Sequence, residues 1–187
     1  MKAVLISIRP KWCEKIVNGK KTIEVRKTCP KLQTPFKCYI YCTKDAKKQF
    51  WTGPKYSYAD DHSHNAFDKC GNGKVIGEFV CNEIKYFDFE ESEWAYSVAP
   101  PGSDMPMHES EALELCYKDG CLNDNDMLSY FGDEAWKAYF WHISNLKIYD
   151  KPRELREFTG LRQTKFGAEP VPITRPPQSW YYVYENN

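Results

Sequence analysis

Three stretches of the chain alternate or run apolar in a way that fixes most of the expected backbone plan. Lys2–Arg9 sets Val4, Ile6 and Ile8 against Ala3, Leu5 and Ser7, a pattern that predicts a strand buried on both sides. Phe36–Thr43 places Phe36, Cys38, Ile40 and Cys42 on one face and Lys37, Tyr39, Tyr41 and Thr43 on the other. Lys74–Phe87 is apolar on both faces except at Glu78. A carboxylate there is costly to bury alone, so Glu78 is expected either to reach solvent at an edge or to pair with a Lys or Arg near residues 19–26. Lys20–Lys27 reads as a further strand, with Thr22, Glu24 and Arg26 on one face and Lys21, Ile23 and Val25 on the other.

Helical spacing is confined to short segments. Pro10 at a first helical position, Trp12, Ile16 and Val17 on one face, and Asn18-Gly19 as a stop predict a helix over about Pro10–Val17. Ser110 is expected to cap Glu111–Tyr117, stopped by Gly120, and Asn123 to cap Asp124–Phe131, stopped by Gly132. Trp136–Ile143 and Leu146–Tyr149 read as two strands broken at Ser144-Asn145, with a helix through Ala135–Phe140 as the alternative. Pro152 opens a short helix to Phe158, and Pro176-Pro177 leads into a last strand carrying Trp180, Tyr182 and Tyr184 on one face. Lys44–Lys74 and Asp88–Asp104 keep no period and read as loops. The count is about six strands and three or four short helices, with strands at both ends. The expected fold class is α+β, a small, mostly antiparallel β-barrel with short peripheral helices and a long loop insertion. One domain spanning 1–187 is expected, with insertions at about 44–74 and 88–135.

Composition alters this picture in two ways. The apolar run Val4–Ile8 is too short for a signal peptide or a bilayer span. The expectation is therefore a cytoplasmic protein with no membrane partner, whose eight cysteines are reduced thiols without disulfides. Net charge is zero overall, yet residues 1–55 carry 14 Lys/Arg against 3 Asp/Glu and residues 56–135 carry 4 against 18. A basic first third interleaved with Trp12, Phe36, Tyr39, Tyr41, Phe50, Trp51 and Tyr56 suits a phosphate-tracking, base-stacking surface. The competing interpretation is lysines on a solvated face, balanced by the acidic middle third.

Other candidate chemistry is thin. His62-Ser63-His64 beside Asp60, Asp61 and Cys70 has metal-ligand residue types but no closed-site spacing, so a solvated loop is preferred and no metal or other cofactor is expected. His142 in an apolar strand reads as a satisfied core histidine rather than a catalytic one. Cys116 and Cys121 read as packing. The terminal aromatic stripe reads as core or barrel lining before base stacking.

Ile6-Ser7-Ile8-Arg9-Pro10, Ile16, Gly19-x-Lys21-x-x-Glu24-x-Arg26 and Val75-Ile76-Gly77-Glu78-Phe79 together resemble an ASCH domain of the PUA-like superfamily. Trp141-His142-Ile143-Ser144 and Pro176-Pro177-Gln178-Ser179-Trp180 extend the likeness to a bacterial and phage-associated branch, so that it covers nearly the whole chain. The resemblance implies a barrel with a cleft beside the first helix, lined by the Gly-x-Lys-x-x-Glu-x-Arg strand and binding RNA or a modified nucleoside or nucleotide. Lys21 and Arg26 would donate to phosphate or base edges, Glu24 would accept from an exocyclic amine or hold Arg26, and Trp12 or Tyr41 would stack. The full ligand-contacting set implied is Lys11, Trp12, Lys21, Glu24, Arg26, Tyr41, Glu78, Ser179 and Trp180. The alternative at the motif is a structural Glu24–Arg26 ion pair.

A hydrolase is the second reading. Small bacterial acetylcytidine amidohydrolases look similar through the pattern Gly-x-Lys-x-x-Thr-x-Arg. Here Glu24 stands where they have threonine, which removes a hydroxyl nucleophile, and Asp119 is only a loose positional match to their carboxylate. Some relatives are also reported to cut RNA, and a Lys21–Glu24 pair would then be the catalytic acid and base. A third reading is a regulatory module that docks a basic protein partner on the acidic middle third.

Overall fold

The structure, a computed structural model, describes residues 2–50, 70–88, 107–132 and 136–184. Most of the 44–74 loop with Asp60, Asp61, His62 and His64, and the acidic stretch after Asp88, lie outside the described residues.

Eight strands are present among the described residues: β1 (Lys2–Ile8), β2 (Ile23–Arg26), β3 (Phe36–Cys42), β4 (Val75–Asp88), β5 (Lys137–Arg153), β6 (Thr159–Thr164), β7 (Gly167–Pro172) and β8 (Trp180–Tyr184). Three α-helices accompany them: α1 (Pro10–Val17), α2 (Glu109–Tyr117) and α3 (Asp124–Phe131). The strands hydrogen-bond in the order β2-β5-β4-β3-β1-β8-β6-β7. That order ends at β2 and β7 without closing, so the fold is mixed α+β on an open eight-stranded sheet. β1 runs parallel to β3 and antiparallel to β8.

The chain forms two compact units, to both of which β4 and β5 contribute residues. The first comprises Met1–Glu14, Lys37–Phe79 and Leu146–Asn187. Its core gathers Leu5, Tyr39, Tyr41, Val75, Phe158 and Val183. β1 is buried from Ala3 to Ile8, as two apolar faces require. The second unit comprises Lys15–Phe36 and Val80–Asn145, and its core gathers Val25, Phe87, Ala112, Cys116, Met127 and Phe140. Trp141, wholly buried, meets Phe36 edge to face at 5.9 Å.

Four expectations are corrected. β5 is one strand of 17 residues rather than two, and the expected break survives only as a φ of 48° at Asn145. Pro152 lies inside that strand instead of opening a helix, and only a single 3-10 turn, Leu155–Glu157, follows. The cap of α2 is His108, whose ring nitrogen accepts from the Ser110 N–H at 3.3 Å, two residues ahead of the expected serine cap. The hairpin β6–β7 has no counterpart in the expected strand count. The α3 cap is as expected, with Asn123 and Asp126 accepting each other's backbone N–H.

Gly19 ends α1 for a backbone reason. Its φ is 69°, its N–H reaches the Ile16 carbonyl at 2.9 Å, and the Lys20 N–H reaches Lys15 at 2.9 Å. This paired closure is a Schellman motif, which needs a left-handed residue just past the helix. A side chain in that conformation costs about 1–2 kcal/mol although the space around Gly19 is open. The first glycine of Gly-x-Lys-x-x-Glu-x-Arg thus turns the chain out of the helix and aims Lys21.

Candidate functional site

The site is built where the loop after α2 clamps the segment leading into β2. The Asp119 carbonyl accepts from the Thr22 and Ile23 N–H groups at 3.0 and 3.2 Å, and its carboxylate accepts from Thr22 Oγ1 at 3.2 Å. Lys15 Nζ donates to the Cys121 carbonyl at 3.0 Å and Cys121 Sγ to the Lys20 carbonyl at 3.0 Å. Lys21 Nζ donates to the Gly120 carbonyl at 2.7 Å. Gly120 leaves no room for a side chain, because a Cβ there would stand 2.7 Å from the Cys116 carbonyl oxygen and 3.1 Å from Val25. Asp119, matched by position to a catalytic carboxylate in the hydrolase reading, is therefore tied to Thr22 in a structural role.

This clamp brings Lys21, Glu24 and Arg26 together. Arg26 Nη2 lies 2.9 Å from Glu24 Oε1 and Lys21 Nζ lies 3.5 Å from Glu24 Oε2. All three are buried, at 3%, 5% and 7% exposure. Alternation would set Lys21 on the face opposite Glu24, but Lys21 precedes the first strand residue, Ile23, so the period of two does not bind it. Among the described residues, Glu24 Oε2 accepts no hydrogen bond. The arrangement is a buried acceptor beside a buried donor.

Burial holds the Lys21 pKa below its ordinary value and Arg26 adds to the shift, while Glu24 opposes it. The sign for stability follows directly. Because the unfolded lysine binds a proton more tightly than the folded one, stability should rise with pH between the lowered folded pKa and the ordinary 10.5. Urea midpoints measured across this alkaline range should climb more steeply for the native chain than for Lys21→Met; equal slopes would mean that Lys21 is not desolvated.

Two buried thiols, Cys116 beside Lys21 and Cys81 on β4, are poor nucleophiles. Burial pushes Cys116 and Cys81 up to about 12. The eight cysteines, all among the described residues, form no disulfide.

The remaining predicted site residues belong to the first unit. Lys11 Nζ sits 4.2 Å from the Trp12 ring centroid on α1. Trp180 meets Tyr182 edge to face at 5.3 Å, and Lys2 Nζ lies 3.6 Å from the Tyr182 centroid. The Ser179 carbonyl accepts from the Ser7 N–H at 2.9 Å, which makes Ser179 a strand-end contact. Tyr41 lines a groove of about 470 Å³ with Ser7, Thr43, Lys44 and Arg156. Glu78 finds a partner, but chiefly a tyrosine: Tyr149 Oη donates to it at 2.6 Å, and Lys37 stands at 3.9 Å. That bond and burial raise the Tyr149 pKa. His142 faces Asn82 Oδ1 at 2.7 Å across the Nδ1 atom, a satisfied and half-exposed histidine.

One residue escapes sequence reasoning. Tyr130, on α3, has its phenol oxygen against the Arg26 side chain and the Lys27 N–H. Burial of that end raises its pKa, with Arg26 opposing, while the ring flank stays exposed at 37% of the residue. A tyrosine in an acidic helix carries no signal of its own, because only tertiary structure brings α3 to β2.

The described residues define a mixed α+β domain on an eight-stranded sheet. The chain belongs to the ASCH domain family, whose family model matches residues 6–152. ASCH domains are PUA-like domains of RNA-binding type, which gives the chain a nucleic-acid-related role in general terms. Among solved structures it is similar to an ASCH protein from Zymomonas mobilis, with 16% identity, a TM-score of 0.49, and coverage of 98% of this chain and 88% of that one. Two single-substitution variants of that Zymomonas mobilis protein match with 17% identity each and TM-scores of 0.47 and 0.46, covering 99% and 98% of this chain and 92% and 89% of theirs. No curated protein matches in sequence. Among the described residues no helix is long and apolar enough to cross a membrane.

Proposed function

We propose that the chain is a single ASCH-like domain, acting in the cytoplasm, that recognises RNA or a modified nucleoside through Lys21, Glu24 and Arg26. The observation that carries this reading is Glu24 Oε2, a buried acceptor with no hydrogen bond among the described residues, held 3.5 Å from the Lys21 donor. An acceptor beside a donor complements a base edge that presents an amine or imino N–H next to a carbonyl or ring nitrogen. Arg26 fixes the other carboxylate oxygen at 2.9 Å, so the acceptor is oriented before any ligand arrives. Oε2 is held only at ion-pair distance by Lys21, and a base donating to it adds the hydrogen bond that this oxygen otherwise lacks among the described residues.

The test replaces Glu24 by Gln, which keeps the shape and turns an acceptor into a donor. Binding of a mixed-sequence single-stranded RNA and of a nucleoside panel, read on folded protein, should fall by about tenfold or more, since a site built for a hydrogen bond rejects a mismatched partner strongly. Unchanged binding by Glu24→Gln would sink the reading.

A second reading has one observation in its favour. The depressed Lys21 pKa beside a carboxylate is what acid–base chemistry on RNA or an acylated nucleoside would use. Incubation with acetylcytidine and with RNA separates the two, because the hydrolase reading requires turnover that Glu24→Gln abolishes.

A further inference from the structure

We propose that Tyr130 is the platform on which a nucleobase stacks beside the Glu24 acceptor, with Lys27 meeting the phosphate of the same nucleotide. This rests on the recognition reading given above and names the stacking partner that reading needs.

Four aromatic side chains are markedly exposed among the described residues: Tyr117, Tyr130, Phe166 and Tyr181. Three serve elsewhere or stand alone in this respect. Tyr117 donates to Asp124 on its own helical pair and Tyr181 to the Leu161 carbonyl, while Phe166, with Lys165 Nζ 4.9 Å from its centroid, lies between β6 and β7 in the first compact unit and not in the motif's. Tyr130 instead directs its phenol oxygen at Arg26 and Lys27, so its polar end is anchored in the motif while its ring flank faces solvent.

The ring is held from behind as well. Phe131 meets it edge to face at 4.8 Å, Trp136 lies 5.0 Å from Phe131, and the buried Phe87 lies 4.4 Å from Trp136. This ladder roots an exposed ring in the core. A ring immobilised in advance loses little freedom when a base lands on it, which is the condition under which stacking contributes fully to affinity.

Lys27 supplies the remaining feature. Its Nζ lies 5.4 Å from the Tyr130 centroid and 5.8 Å from that of Phe131, and the residue is exposed. With Lys27 over the ring, the pair combines an aromatic face with a solvated cation, the combination by which single-stranded nucleic acid is held without sequence preference. Glu24 then contributes the preference. Tyr130, Lys27, Arg26 and Glu24 all belong to the second compact unit, so the proposed subsite is contained in one unit.

The probe is a mixed-sequence single-stranded RNA carrying one 2-aminopurine, read by anisotropy for affinity and by quenching for stacking. Tyr130→Ala should weaken binding by about tenfold or more and remove the quenching. Tyr130→Phe should bind within about threefold of the native chain and keep the quenching, because the ring remains. Lys27→Met should weaken binding and flatten its salt dependence. Equal losses in Tyr130→Ala and Tyr130→Phe would overturn the proposal, since the hydroxyl and not the ring would then be responsible. Native affinity in Tyr130→Ala together with a loss in Glu24→Gln would overturn the platform and leave the recognition reading standing. Native affinity in both variants would end both. Tyr130→Ala should also melt somewhat lower than the native chain, since it loses the contacts with Phe131 and Arg26, so binding by each variant is read well below its own midpoint.

Discussion

Glu24→Ala should destabilise the protein by about 3–5 kcal/mol. The carboxylate is 7% exposed and faces the Arg26 guanidinium at 2.9 Å and the Lys21 ammonium at 3.5 Å. Removing it leaves both cations buried without that counter-charge, and desolvation of a charge is what makes such a loss large. The measurement is urea unfolding, with the midpoint falling and the slope unchanged. Glu24→Gln should lose somewhat less, since it keeps the shape and one acceptor although it too removes the counter-charge. Adding Lys21→Met to Glu24→Ala should recover part of the loss, because the two effects share one cluster and cannot be additive. A loss below about 1 kcal/mol would mean that the cluster is hydrated and that its burial is only apparent. The same experiment bears on function. A cluster that merely fastens β2 would show the stability loss with no change in RNA binding by Glu24→Gln, whereas recognition requires both.

What the sequence made legible follows from how strongly each element buries its side chains. β1, β3 and β4 are written in apolar alternation because each is buried along most of its length. Capping chemistry is equally local, which is why Asn123 and Gly19 are readable without a partner. β6 and β7 are not readable for the opposite reason. β7 is exposed at nearly every position and contains Pro170 and Pro172, features that argue against a central strand. β7 ends the sheet order, where a strand needs no second partner and prolines are tolerated. β5 misleads through Pro152 and Asn145, whose turn-forming residue types are absorbed into a long strand.

The site divides along the same line. Gly-x-Lys-x-x-Glu-x-Arg was visible because its spacing is local, and the backbone bears out the turn at Gly19 and the convergence of Glu24 with Arg26. Lys21 joins them only because the loop Asp119–Cys121, almost a hundred positions away, fixes the chain ahead of β2, as its bond to Gly120 across 99 positions records. Tyr130 comes from a helix in the acidic third, where charge patterning points away from nucleic acid. Long-range pairings of this kind leave no period in the sequence. The residues that complete the site are therefore the ones that spacing alone overlooks.

Gly77→Ala tests the sheet beneath the motif Val75-Ile76-Gly77-Glu78-Phe79 and should cost about 3 kcal/mol, at the upper end of what overpacking usually costs. Gly77 lies within β4, buried, with a backbone that any residue can adopt, so alanine would ordinarily stabilise a strand by restricting the unfolded chain. Here space decides the sign. A Cβ on Gly77 would overlap the Lys147 carbonyl oxygen and stand 3.0 Å from Ile148 Cδ1 and 3.1 Å from Ile148 Cα. Two of these three atoms are backbone of β5 and cannot rotate aside, and β5 is the hydrogen-bonded neighbour of β4. Relief requires the two strands to part, which lengthens their ladder. For a chain of 187 residues the loss corresponds to a fall in Tm of roughly 6–12 °C. Gly132→Ala provides the contrast: its φ of 94° and ψ of −167° fall in a region essentially confined to glycine, but nothing lies within 4 Å, so its loss should reflect backbone strain alone, about 1–3 kcal/mol. Calorimetry on both variants distinguishes a steric glycine from a conformational one. Native stability in Gly77→Ala would show that β4 and β5 adapt their spacing, and the motif's glycine would then need an explanation other than close packing.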